Sequence, residues 1–221
     1  MIDILQEIKE SNKEQKKITY YKKTLPLVII FSIIVIIGMV LNNIYTVKQE
    51  KHQKKMSSIL VRSLNNRKDN PKLMMEGLEY LILSSHNNSI KEVAHIELLG
   101  QKIKTNNLEE AKKIATEIIN IESYTNITKF YVKLNLLGII VNTTKNNDND
   151  EVKLLKKLFL EFSSQDVPFW SVAFIYYALW EKKIGNISES IRYLDTIIKS
   201  QFASDNAKHQ AKILKQSFDI D

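Results

Sequence analysis

From Leu25 to Leu41 the chain reads LPLVIIFSIIVIIGMVL, almost wholly apolar, and beyond it apolar residues recur every three or four positions to the C-terminus. The second pattern is that of helices with one buried face. It predicts helices over residues 3–22, 24–65, 71–85, 89–104, 107–121, 127–143, 150–163, 167–184, 187–200 and 204–218. Capping chemistry marks several starts. Asn70-Pro71 supplies a cap and a first-turn proline, Ser89 and Glu92 have the capping-box spacing, and Pro168 opens FWSVAFIYYALWEKK.

No residue between Thr24 and Val47 is charged. A helix over this window is about 35 Å long, enough to cross a hydrocarbon core of about 30 Å. The run closes on Asn42-Asn43-Ile44-Tyr45 without a small-residue cleavage triplet, so an uncleaved signal-anchor is expected. Lys22-Lys23 abut the run on one side, whereas Lys48 stands farther off on the other, which favours a cytoplasmic N-terminus. The expected organisation is a cytoplasmic segment 1–23, a transmembrane helix 24–47, a membrane-proximal helix and linker 48–70, and a helical domain 71–221. The first segment carries Ile4, Leu5 and Ile8 on one side before turning polar. It reads as a partner helix, a helix lying on lipid headgroups, or a solvated tail.

Within the helical domain a period emerges. Leu98-Leu99-Gly100 is echoed by Leu136-Leu137-Gly138, and Tyr176-Tyr177-Ala178 falls one step later, at spacings of 38 and 40 residues. That is the length of a helix-pair solenoid repeat. A small residue there lets a first helix approach its neighbour, with Ala111 and Ser190 as matching positions in second helices. Gly185 lies where a helix stops and the chain reverses, a place that favours positive φ.

The stretch FIYYALWEKKIGNISESIRYLDTII resembles a tetratricopeptide repeat, with Phe174, Ala178, Gly185, Ser190, Leu194 and Ile197 at the pattern's large and small positions. TNNLEEAKKIATEII puts Asn106 or Asn107 in the glycine slot, one position out of register with Gly100. The middle unit keeps only its first helix in pattern, and the closing proline is missing throughout. A short charged N-terminus, one span, a continuing helix and degenerate repeats together resemble the tetratricopeptide-like inner-membrane proteins that include the ancillary subunit of the SecYEG translocon. The likeness implies an all-α fold: one transmembrane helix, then an α-solenoid of degenerate helical hairpins. It also implies a bacterial inner-membrane location with a periplasmic C-terminal domain, and translocon subunits or periplasmic folding factors as partners.

Composition changes this picture little. Five glycines and three prolines leave no turn chemistry for an all-β chain. The absence of cysteine excludes disulfides, thiolate metal sites, catalytic thiols and a lipoprotein anchor. The net charge of +7 comes from lysines interleaved with acids along helical faces, so nucleic acid is not an expected partner.

Catalytic equipment is not found. His52, His86, His95 and His209 are scattered without metal-ligand spacing, and His95 reads as a packing residue. Glu109-Glu110 and Asp148, Asp150 and Glu151 fit helix starts, and NDNDE lacks the glycine and spaced ligands of a calcium loop. There is no phosphate-binding glycine loop and no G-x-S-x-G. The chain is therefore expected not to be an enzyme and to need no cofactor, metal or small-molecule substrate. Phe169, Trp170, Phe174, Tyr176, Tyr177 and Trp180 read mostly as inter-helix packing.

Two functions remain. One is a tethered binding module whose groove takes a segment of another protein. The last unit's register puts Glu97, Gln101, Lys104, Asn135, Asn142, Ile175, Leu179 and Lys182 on that groove. The other is a self-associating scaffold of the cell envelope that holds no client.

Overall fold

The computed structural model describes residues 39, 42–144 and 149–218. The predicted helix over 3–22 and most of the predicted span lie outside the described residues. Among the described residues every regular element is helical, and no helix is long and apolar enough to cross a membrane. The chain divides into two compact units, residues 1–55 and 56–221. In the first, residues 42–55 are helical.

The second unit opens with helical residues 56–65 (α1). It continues through α2 (Pro71–Ser84), α3 (Asn88–Lys104), α4 (Leu108–Asn120), α5 (Asn126–Thr143), α6 (Asn149–Leu160), α7 (Trp170–Lys183), α8 (Ile187–Lys199) and α9 (Asp205–Phe218). Asn70 caps α2 as its sequence predicts: its side chain accepts from the Leu73 amide at 3.1 Å, and Pro71 sits in the first turn. Two predicted starts are corrected. The cap of α3 is Asn87, which accepts from the amides of Ser89 and Ile90 at 2.9 and 3.3 Å; Glu92 is drawn away to another helix. Pro168 stands ahead of α7, whose entry is Phe169 at φ 65°.

Each helix from α2 onward packs against the next, and α3 touches α5, α5 touches α7, and α7 touches α9. Among the described residues the even-numbered helices meet one another only through side chains that reach across, Lys112 of α4 pairing with Glu151 of α6 and Phe159 of α6 meeting Tyr193 of α8. Helices α3, α5, α7 and α9 thus form a contiguous row and the even-numbered ones a looser row, as in stacked helical hairpins. Helix α5 lies centrally, with Leu136 through Val141 buried without a break, the pattern of a helix covered on all sides.

The row is close because side chains are small or flat where it needs them. A Cβ on Gly138 would stand 3.0 Å from Cζ of Tyr176 on α7. Ala111, Ala178 and Ser190 are wholly buried, and the Ser190 hydroxyl donates to the Ala178 carbonyl at 2.6 Å. Gly100 does not serve this purpose: it is exposed, and nothing lies within 4 Å of where its Cβ would be. Phe159 of α6 stacks on Tyr177 of α7 at 3.8 Å between ring centroids, and both meet Tyr193 of α8 edge-on. These rings are core.

The two best-formed hairpin turns are copies of one another. Asn107 N donates to Lys102 O at 2.9 Å and Asn106 N to Ile103 O at 3.0 Å; Asn186 N donates to Glu181 O at 2.8 Å and Gly185 N to Lys182 O at 3.0 Å. This is the nested pair of bonds that closes a helix through a left-handed residue. That residue is Asn106, φ 56°, in the first turn and Gly185, φ 88°, in the second.

Candidate protein-binding surface

The central helix is fixed at both ends by its neighbours. Glu92 of α3 accepts from the backbone N–H of Thr125 at 3.1 Å and from its hydroxyl at 2.5 Å, where Thr125 is the cap of α5. Burial works against charge on Glu92, but its hydrogen bonds from Thr125 and Thr128 outweigh it and hold the carboxyl below the ordinary range. At the other end, the ammonium of Lys183 on α7 donates to the carbonyls of Val141 and Thr144 at 2.9 and 2.7 Å. Orphan groups at both termini of α5 are thereby satisfied from outside the helix.

With α5 held, its remaining open face is a defined surface. Ile127, Tyr131 and Asn135 recur at helical spacing ahead of the buried run Leu136–Val141, with Ile127 52% and Tyr131 39% exposed, and Asn142 is exposed beyond that run. On the adjoining α3, Val93, Glu97, Gly100 and Lys104 form the corresponding stripe, with Val93 40% exposed. Apolar side chains on both helices therefore meet solvent next to amides and charges. A surface of that kind holds an apolar anchor and orients it through polar flanks.

The eight sequence-derived groove positions divide on this surface. Lys104 and Asn142 are exposed, and Asn135 is half-buried, donating to the Tyr131 carbonyl at 2.8 Å. Glu97 is half-buried and ion-paired with Arg67. Gln101 and Ile175 are buried and offer no open surface; the α7 register does not carry to Gln101 on α3, and on α7 itself Ile175 belongs to the core. Leu179 is half-buried against the core. Lys182 lies over the Phe218 ring, 4.3 Å from its centroid, where α9 packs on α7. The groove positions that remain open thus concentrate on α3 and α5. Val93, Ile127 and Tyr131 were missed, although the first lies one turn before Glu97, and Tyr131 and Ile127 lie one and two turns before Asn135.

The titratable groups elsewhere serve packing. His95 is buried and its Nδ1 lies 2.6 Å from the Tyr124 hydroxyl. Burial lowers the imidazole pKa and pushes Tyr124 up to about 12. Lys112 of α4 is ion-paired with Glu151 of α6, which also accepts from the Thr144 hydroxyl at 2.5 Å. Among the described residues no group of three or more histidines, aspartates and glutamates could hold a metal ion.

Comparison with known proteins adds kinship. A family described as "Protein of unknown function (DUF2659)" matches residues 1–218. A Rickettsia prowazekii protein, "Uncharacterized protein RP231", is 33% identical over 166 residues, which is 74% of this chain and 74% of the relative. No solved structure matches.

Proposed function

We propose that this chain, which belongs to the DUF2659 family, is a membrane-tethered protein-binding module built on tetratricopeptide-like hairpins. The observation that carries the reading is the open surface on α3 and α5, where Val93, Ile127 and Tyr131 are exposed, with Lys104 and Asn142 exposed toward the helix ends and α5 anchored at both termini by its neighbours. Stacked hairpins present such faces to segments of other proteins. The uncharged window Thr24–Val47 supplies the tether. With the N-terminus in the cytoplasm, the surface faces the periplasm of a bacterial inner membrane, and its partners are translocon subunits or periplasmic folding factors. The module performs no catalysis and uses no cofactor.

Photocrosslinking in cells from Lys104 and Tyr131, followed by mass spectrometry of the adducts, tests this. Translocon or chaperone adducts that disappear in Ile127→Asp support it; cytoplasmic adducts overturn the orientation.

A specific feature favours a second reading, self-association. Leu73, Tyr80 and Leu83 recur along one side of α2, and Leu83 is 83% exposed. Light scattering on the full chain in mild detergent distinguishes the two. A dimer that Leu83→Glu dissociates, with no crosslinks from the α3–α5 stripe, establishes the scaffold.

A further inference from the structure

In the first unit an open groove of about 390 Å³ is lined, among the described residues, by Asn43, Ile44, Val47, Lys48 and Lys51. Positions 44, 47, 48 and 51 recur at three- and four-residue spacing, so they share one face of the helix over 42–55. The face is graded along its length. Ile44 and Val47, 59% and 45% exposed, lie toward the apolar run, and the exposed Lys48 and Lys51 follow within one further turn. Glu50 is the only acid from Asn42 to Lys55.

We infer that this groove is a binding site for one anionic phospholipid, whose phosphate is held by Lys48 and Lys51 and whose acyl chain lies on Ile44 and Val47. The inference rests on reading Thr24–Val47 as the membrane span, which puts Val47 at the edge of the hydrocarbon. The order of the residues then selects the occupant. Going outward along a helix from that edge, a bilayer offers acyl chain first and phosphate next, over an interfacial layer of about 5–8 Å. Ile44 to Lys51 is seven residues, a rise of about 10 Å. The groove therefore passes from an apolar to a cationic lining over the same depth at which a lipid passes from acyl to anionic. An acidic peptide would match the lysines but would meet two exposed aliphatic side chains on the membrane side of them. Lysines at such a boundary can lay their methylene stems along the apolar wall with the ammonium outward.

Native mass spectrometry of the full chain, released from micelles supplied with dioleoylphosphatidylglycerol or dioleoylphosphatidylcholine, reads the site directly. The expected result is retention of one phosphatidylglycerol in preference to phosphatidylcholine. Lys48→Gln/Lys51→Gln should weaken that retention about 30-fold, the factor that corresponds to about 1 kcal/mol for each of two lysines near an anionic headgroup. Lys72→Gln, outside this unit, should leave retention unchanged. Equal retention of the two lipids, no effect of the double substitution, or full displacement by inorganic phosphate overturns the site. Carbonate extraction of cell membranes tests the underlying reading separately. Release of the chain into the supernatant overturns the span, whereas a chain that stays in the membrane without a lipid preference overturns the lipid site alone.

Discussion

Glu92 and Lys183 stand at opposite ends of a helix to which neither belongs. The first binds the N-terminal cap of α5 and the second its C-terminal carbonyls. Helix α5 has no acidic residue in its own first turn and no basic residue in its last. Its neighbours supply both, with the signs that complement the helix dipole.

Removing either group should loosen α5 without disturbing the rest of the core. Glu92→Gln and Lys183→Met are each expected to lower stability by about 1 kcal/mol. The loss should appear in amide exchange at the corresponding end of α5 and spare the opposite end. Equal acceleration at both ends would contradict the assignment.

Two glycines in the same local motif should respond with opposite sign. Gly100 has open space around it, so Gly100→Ala is expected to stabilise by up to about 1 kcal/mol through helix propensity alone. At Gly138 a Cβ alone already meets the Tyr176 ring and valine adds two further carbons, so Gly138→Val is expected to cost about 1–3 kcal/mol by overpacking. Both tryptophans, Trp170 and Trp180, are buried on α7. Their fluorescence during urea unfolding in mild detergent reports both changes.

The left-handed turn residues provide a second matched pair. Gly185→Ala places a Cβ at φ 88° and is expected to destabilise by about 1–2 kcal/mol. Asn106→Gly, at φ 56°, is expected to change stability by less than about 1 kcal/mol, since asparagine tolerates this region and glycine adds freedom to the unfolded chain. The same unfolding assay separates them.

Acid should destabilise the domain in two steps. The folded pKa of His95 lies below its ordinary value, so the unfolded chain takes up the proton first. Stability is then lost as pH falls below about 6.5, until the folded pKa is passed. Glu92 is also lowered, so its contribution, complete above about 4.3, is lost as pH falls from there through its folded pKa. His95→Gln should flatten the upper step and leave the lower one. A pH profile of the urea midpoint shows whether it does.

What the sequence made legible was local. Helix positions follow from apolar periodicity within a dozen residues, and the turn at Gly185 from a rare glycine after a lysine-rich helix end. Asn106 was readable as its counterpart because asparagine tolerates the left-handed region. The misreadings involve partners distant in sequence. Leu98-Leu99-Gly100 and Leu136-Leu137-Gly138 are the same string, yet only the second has a tyrosine from the next unit against it. Glu92 has the spacing of a capping box with Ser89, but its bonds go to Thr125, 33 residues on. Among the groove positions, Lys104 is exposed at the end of α3 and Asn142 at the end of α5, beyond its buried run. Gln101 and Ile175 are instead buried, Ile175 within the hydrophobic core.

The unequal rows of the second unit also set its elasticity. Helices α3, α5, α7 and α9 pack directly along their row, whereas α4 meets α6 through the Lys112–Glu151 pair and α6 meets α8 through the Phe159 and Tyr193 rings. Flexure that fans the even helices apart stretches only these long side-chain contacts and no close backbone packing, so the odd row acts as the neutral line of a leaf spring. The α3–α5 stripe lies on that line. A load applied across the domain would be taken up by splaying of α4, α6 and α8, while the distance from Val93 to Tyr131 stayed nearly constant.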